Sequence, residues 1–200
     1  RGFYVYRLNV GLQAGDVIRR KDVDAVKIPA QYSEGFKGVA RQGELEMFLD
    51  QRPIEMDAQT GAVRWEVRVA ISQGRSEIER IVDVDGTMAL VGNELYAASY
   101  QGRVVAIDVA TGRKLWQRDV SSFSGVSQGF GNVYVADDDG TLTAYLKNGS
   151  GIRWTQGALG YRQLSRPTPV SSYVAVADFE GIVHIISQVD GGFAGRVKVD

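Results

Sequence analysis

The residues able to do chemistry are few, and each group lacks what a reaction would need. His184 is the only histidine and falls in "GIVHIIS", which reads as a strand. The chain has no cysteine and no second histidine, so no shared zinc or copper site can be built around it, and a structural role is expected. "DVDG" (83–86) and "DDDG" (137–140) carry the oxygen ligands that calcium takes. A calcium loop spreads those ligands over about twelve residues and closes on a glutamate, which neither stretch does. No arrangement favours Ser–His–Asp catalysis, and no G-x-x-x-x-G-K-[ST] phosphate loop is present. Neither catalytic residues nor a metal or cofactor are expected, and binding is the chemistry left.

Bulk properties narrow the kind of binding. The net charge of the 200 residues is −1 with both signs interspersed, so there is no basic footprint for nucleic acid. No apolar run reaches the roughly 18–20 residues that span a bilayer. No signal-peptide pattern is visible and the chain begins at Arg1, as a processed or trimmed product would. With 24 glycines against 4 prolines, many turns of positive φ are expected, which points to an all-β protein.

The elements that must position any site come in repeats. "AIDVATGRKLW" (106–116) has a close relative in "EMDAQTGAVRW" (55–65) and looser ones in "AYLKNGSGIRW" (144–154) and "IISQVDGGFAG" (185–195). The turns "SYQG", "DDDG" and "DFEG" end at Gly102, Gly140 and Gly181, which are 38 and 41 residues apart. A period near 40, built of strands and turns, is the signature of β-propeller blades, each a four-stranded antiparallel sheet. Strands are expected near 94–99, 103–108 and 113–119, near 132–136, 141–146 and 152–155, and near 172–177, 182–187 and 193–199. Several are apolar on both faces, as stacked blades require. Trp65, Trp116 and Trp154 share one repeat position and are expected to lie over the neighbouring blade, burying on the order of 200 Å² each. "DDDG" occupies the place of "SYQG" and "DFEG", so it reads as a hairpin turn. Three blades plus the last strand of an earlier one can be counted, which makes the chain a partial or open propeller.

The repeat is irregular in one place. From Trp116 to Gly131 is 15 residues and from Trp154 to Ser171 is 17, yet from Trp65 to Gly92 is 27. The excess lies in "AISQGRSEIERIVDVDG" (70–86), a connection between blades. Insertions in repeat proteins map to loops on one face, often the binding face.

Residues 1–55 show the repeat poorly and are expected to form a small β module or a diverged blade, ahead of blades over 56–200. "QGELEMFLD" (42–50) echoes "QGRVVAID" but runs into "QRPIE". "GLQAGDVI" resembles a PDZ-domain loop, and "LNVGLQAGDVIRRKDVDAVKIP" (8–29) resembles a β-clip of the SAF type. A ligand- or glycan-binding role for this module is a third functional possibility.

The "D-x-x-T-G-x-x-x-W" pattern resembles the repeats of pyrroloquinoline-quinone dehydrogenases and their non-enzymatic relatives. Within that group residues 56–200 are similar to the BamB family, the propeller lipoproteins of the outer-membrane β-barrel assembly (BAM) machinery. "RWEVRVAISQGRSEIERIVDVDG" (64–86), "YQGRVVAIDVATGRKLWQRDV" (100–120), "RQLSRPTPV" (162–170) and "YVAVADFEGIVHIISQVDGGFAGRVKVD" (173–200) carry the resemblance. It implies an eight-bladed, periplasmic, outer-membrane-associated scaffold that docks on the POTRA domains of BamA. The acidic pair contacting BamA in the family falls on Asp83 and Asp85, inside the long loop. Arg75, Glu77, Glu79 and Arg80 share that loop as candidate rim contacts. The family's "LSLR"-type contact loop and lipid-bearing cysteine have no counterpart in this sequence. The alternative is a fragment of a quinoprotein dehydrogenase with quinone and calcium. Self-association through unpaired blades is a further expectation.

Overall fold

The computed structural model describes residues 87–100 and 102–199, residues 63–67 and 69, and the strands that lie between residues 4 and 57. Every regular element among the described residues is a strand, and the strands pair antiparallel throughout. The strands are β1 (Tyr4–Leu8), β2 (Val17–Ile18), β3 (Val23–Ile28), β4 (Lys37–Arg41), β5 (Glu44–Leu49), β6 (Arg52–Asp57) and β7 (Val63–Glu66). There follow β8 (Ala89–Val91), β9 (Glu94–Ala98), β10 (Arg103–Asp108), β11 (Arg113–Asp119), β12 (Val126–Gly129), β13 (Asn132–Ala136), β14 (Leu142–Leu146) and β15 (Ile152–Gln156). The last four are β16 (Thr168–Val170), β17 (Tyr173–Ala177), β18 (Ile182–Ser187) and β19 (Phe193–Lys198).

Three sheets are four-stranded meanders, β8–β11, β12–β15 and β16–β19, as blades should be. The strand that precedes the first full repeat, β7, does not stand alone. It closes a further meander, β4–β7, to which β2 adds a fifth strand, and this sheet takes in residues on both sides of residue 55. "QRPIE" is where its β5–β6 hairpin turns back, with Pro53 opposite Phe48. β1 and β3 pair separately.

The middle strands are buried on both faces. In β9, Leu95, Tyr96, Ala97 and Ala98 are all inaccessible, and so are Val104–Ile107 in β10 and Val133–Val135 in β13. That is why these runs are continuously apolar rather than alternating. Two apolar layers form on either side of β8–β11. One holds Val67, Val69, Met88, Leu95, Val105 and Ile107 against the preceding sheet. The other holds Tyr96, Val104, Val133, Val135 and Tyr145 against the next. A third layer, with Tyr134, Leu142, Trp154, Leu164, Val174 and Ile186, joins β12–β15 to β16–β19. The innermost strands run side by side: Thr87, just ahead of β8, bridges in parallel to Gly125, just ahead of β12.

The tryptophans fasten each sheet to the one after it. Trp65 on β7 donates its indole N–H to the carbonyl of Val109 (2.6 Å), beyond β10 of the next sheet. Trp116 on β11 donates likewise to Lys147 (2.8 Å), and Trp154 on β15 to Gln188 (3.0 Å). Each ring also lies on the glycine of that turn: a Cβ on Gly112 would come within 2.6 Å of Trp65, and one on Gly191 within 2.7 Å of Trp154, with Gly149 under Trp116 in the same way. These glycines have φ of +68°, +76° and +72°, so the position demands glycine both for its backbone and for its space. Two residues after the tryptophan a second donor reaches the same turn: Arg118 to the carbonyl of Gly149, and Gln156 to that of Gly191.

The "D-x-x-T-G" signature builds this turn. Asp108 accepts from the backbone N–H (3.0 Å) and the hydroxyl (2.8 Å) of Thr111, which closes the turn and presents Gly112 to Trp65. Between β12–β15 and β16–β19 a buried polar network adds to the apolar layer. Gln188 accepts from the Tyr134 hydroxyl (2.8 Å) at its side chain and from Asn132 (3.2 Å) at its carbonyl, and donates to the carbonyls of Ser171 and Tyr173.

Candidate partner-binding face

In a four-stranded meander the second turn and the exit to the next sheet lie at one end, and the first and third turns at the other. The connections β7–β8, β11–β12 and β15–β16 therefore share an end with the turns β9–β10, β13–β14 and β17–β18. Gly102, Gly140 and Gly181 sit in those three turns, Gly140 and Gly181 with φ of +86° and +76°. The first residue of each turn caps it: Arg103 N–H donates to the Ser99 hydroxyl (3.0 Å), Thr141 N–H to Asp137 (2.7 Å) and Ile182 N–H to Asp178 (3.0 Å). So "DDDG" is a capped hairpin turn.

The long connection emerges at this end. Asp83 and Asp85, with Arg75, Glu77, Glu79 and Arg80, lie outside the described residues. The structure does fix both ends of their loop. Val67 and Val69 are buried in the apolar layer at its start, and Met88 joins them at its finish. Thr87, two residues after Asp85, is held by its bridge to Gly125 and accepts from the Val126 N–H (3.0 Å).

The neighbouring loops are tied together along the same end. Ser122 N–H donates to the Ser99 carbonyl (3.1 Å), Asp138 N–H to Ser121 (3.1 Å), Tyr161 N–H to Asp139 (2.7 Å) and Phe179 N–H to Arg162 (3.1 Å). Five loops from successive sheets thus form one hydrogen-bonded rim. Its charge is mostly acidic. Burial pushes the Asp138 carboxyl up, the Ser121 hydroxyl opposes this, and the flanking Asp137 and Asp139 push it further.

A second carboxylate on the rim is held ionised. Burial raises Asp178, but His184, the backbone N–H groups of Ile182 and Glu180, and the Arg162 guanidinium outweigh it and leave the group below the ordinary carboxylate range. Asp178 meets His184 Nε2 at 2.8 Å and Arg162 at 2.9 Å, and Arg162 also pairs with Glu180 at 2.6 Å. His184 on β18 is thus a buried partner of Asp178, the carboxylate that through Arg162 ties the β15–β16 connection to the β17–β18 turn. Its Nδ1 is buried without a hydrogen-bond partner.

The sequence singled out Trp65, Trp116 and Trp154 but not the glycines beneath them, nor Gln188 and Asp178. The signal for the glycines was present in "TGRKLW", "NGSGIRW" and "DGGFAG", where a glycine recurs four or five residues ahead of the tryptophan position. That position is Gly195 in the last sheet, opposite Ile185 as Trp116 is opposite Ala106.

Comparison with known proteins settles the family. The model of the family described as outer membrane protein assembly factor BamB matches residues 35–156, more than half of the chain. The chain belongs to the BamB family. A BamB of Pseudomonas aeruginosa is 52% identical over 147 residues, covering 74% of this chain and 39% of that protein. A BamB of Bordetella pertussis is 37% identical over 147 residues, covering 73% and 38%. The chain thus spans about two fifths of the length of these curated relatives. The crystal structure of BamB from Moraxella catarrhalis superposes with a TM-score of 0.77 at 30% identity, over 89% of this chain and 54% of that one. A europium-containing methanol dehydrogenase superposes at 0.63 with 12% identity, over 80% of this chain and 41% of that one, a likeness of fold alone. The BamB sheets and the dehydrogenase sheets are thus variants of one propeller architecture.

Proposed function

We propose that this chain is part of a non-catalytic scaffold subunit of the BAM complex, which docks on the POTRA region of BamA and promotes folding and insertion of outer-membrane proteins. The observation that carries the reading is the 70–86 loop: it is the longest connection between sheets, it is pinned at Val67, Val69, Thr87 and Met88, and it ends on the Asp83/Asp85 pair. Two carboxylates on such a loop pair with basic groups across an interface and chiefly set specificity and association rate. Arg75, Glu77, Glu79 and Arg80 flank them. The names of the relatives, all assembly factors, support the same reading. It carries with it a place on the periplasmic side of the outer membrane and a lipid anchor on the parent protein.

Residues 1–55 fit this reading as a diverged blade, supported by the β4–β7 sheet that runs through residue 55 and by the family match from residue 35. Self-association fits it too, because β19 is an edge strand exposing Phe193 and Val197. A mass in light scattering that stays monomeric at high concentration overturns that part.

The test is titration calorimetry of the chain with the BamA POTRA region, beside an Asp83→Arg/Asp85→Arg variant whose circular dichroism is unchanged. Binding that the variant abolishes supports the reading. Equal binding by both removes the acidic pair from the interface.

A further inference from the structure

We infer that the rim formed by the turns and connections at one end of the sheets is a docking surface of its own, for an extended polypeptide segment that alternates aromatic or apolar with basic side chains along one of its sides. The inference goes beyond the POTRA reading and stands without it, because it uses none of the residues of the 70–86 loop.

Large apolar side chains at the surface are ordinary when scattered singly. Three exposed aromatic rings share one end, while Phe130, Tyr173 and Phe193 are exposed elsewhere. Tyr161 is 85% exposed, Phe179 63% and Phe123 44%. Phe123 is on the β11–β12 connection, Tyr161 on the β15–β16 connection and Phe179 in the β17–β18 turn, so topology puts all three on the same rim. Phe123 also packs against Tyr100 of the β9–β10 turn, with ring centroids 6.0 Å apart.

The rings stand on fixed backbone. Tyr161 holds φ of +61° and Gln163 of +47°, a region that residues other than glycine seldom occupy. The Tyr161 N–H is tied to Asp139 and the Phe179 N–H to Arg162. A surface already ordered loses little conformational freedom when something binds it.

Charge selects the partner. Between the Tyr100–Phe123 pair and Tyr161 stand Asp137, Asp138 and Asp139, and among the described residues no salt bridge engages any of the three. Glu180 follows beside Phe179, shared with Arg162. An anionic bilayer or a nucleic acid is repelled by this row, whereas lysine or arginine is drawn to it. The order along the rim is aromatic, acidic, aromatic, each loop coming from the next sheet. In an extended segment residues i, i+2 and i+4 share one side, so aromatic, basic and aromatic side chains at those positions match such a row.

The probe is a fluorescent peptide repeating tyrosine–serine–lysine–serine, so that tyrosine and lysine alternate along one side of the extended chain, with a counterpart carrying glutamate for lysine. Binding to the full chain is followed by anisotropy at low and high salt. The lysine peptide is expected to bind, with affinity falling as salt rises, and the glutamate peptide to bind at least tenfold more weakly. A Tyr161→Ser/Phe179→Ser variant should lose about tenfold or more. Asp139→Lys should weaken the lysine peptide and strengthen the glutamate peptide, a reversal that misfolding cannot produce. In the Asp83→Arg/Asp85→Arg background the further loss caused by Tyr161→Ser/Phe179→Ser should persist, even where POTRA binding is already abolished. Equal affinity for the two peptides, or no effect of either rim variant, overturns the proposal. So does equal binding of neutral lipid vesicles that displaces the peptide.

Discussion

Trp154 gives its indole N–H to the carbonyl of Gln188, 34 residues further along the chain, while its ring fills the space that a side chain on Gly191 would need. The same pairing joins Trp116 to Gly149 and Trp65 to Gly112, so the seam between sheets repeats a single contact. That contact makes the stability of the fold testable at single atoms.

Adding one carbon under the tryptophan should be costly. Gly191→Ala must take φ of +76° with a β-carbon and also displace the ring of Trp154. Left-handed backbone costs a non-glycine residue about 1–2 kcal/mol, and overpacking about 1–3 more. Gly131→Ala has a similar φ of +73° but nothing within 4 Å of the new carbon. Urea unfolding should therefore show Gly191→Ala destabilised by about 2–5 kcal/mol and Gly131→Ala by only about 1–2. Equal losses would mean that the ring yields freely.

The polar network behind Trp154 predicts coupling. Gln188→Ala leaves the buried Tyr134 hydroxyl without its acceptor and takes the side-chain donor from the Ser171 and Tyr173 carbonyls, while the Asn132 bond to the backbone carbonyl of residue 188 survives; a buried group left short of a partner costs about 1–3 kcal/mol. Tyr134→Phe removes the hydroxyl itself and should cost less, about 1 kcal/mol. In the double variant the loss should fall short of the sum. A strictly additive pair would show that the two side chains act independently.

Asp178 predicts the acid limb of stability. Its folded pKa lies below the unfolded value, so its contribution is complete above the unfolded pKa and disappears as pH falls through the folded one. Asp178→Asn should lower stability at pH 7 and flatten the decline that the parent chain shows from about pH 5 downward. Asp138 has the opposite sign. Its folded pKa is raised, so the contribution present at low pH is lost as pH rises, and Asp138→Asn should be neutral or stabilising at pH 7. Chemical denaturation from pH 3 to 8 checks both.

Reconstitution separates the scaffold from the dehydrogenase. Incubation with pyrroloquinoline quinone and calcium should leave no protein-bound quinone absorbance after gel filtration. A stoichiometric cofactor spectrum would return the chain to the enzyme branch.

Much of this architecture is legible in the residues, and for a physical reason. Glycine and tryptophan tolerate few alternatives, so "TG…W" keeps the period of about 40 visible, and strands buried on both faces announce themselves as apolar runs. The innermost strands are harder to see. "ALV", "VSQG" and "TPV" are only three or four residues long and do not alternate, and the last two carry glycine or proline; neighbouring strands rather than their own pattern make them strands. Pro53 hides β6 in the same way. The seam glycines could have been read as a forward contact of the preceding tryptophan, but a separation of about 40 residues is invisible to local pattern. The 70–86 loop shows itself through its length, whereas the rim does not, since nothing in sequence brings Phe123, Tyr161 and Phe179 to one end until the meander is drawn.

Every tryptophan clamp points forward: Trp65 waits for Val109, Trp116 for Lys147 and Trp154 for Gln188. A chain entering a compartment from its N-terminus therefore cannot finish any sheet until some thirty to forty-five further residues have arrived (separations of 44, 31 and 34). Until then an indole and an apolar face stand open at the growing end, and closure proceeds like a zip with its slider always one repeat behind the emerging chain. Arrest of the emerging chain midway would leave one such sticky end per molecule, the natural handle for a chaperone or a protease.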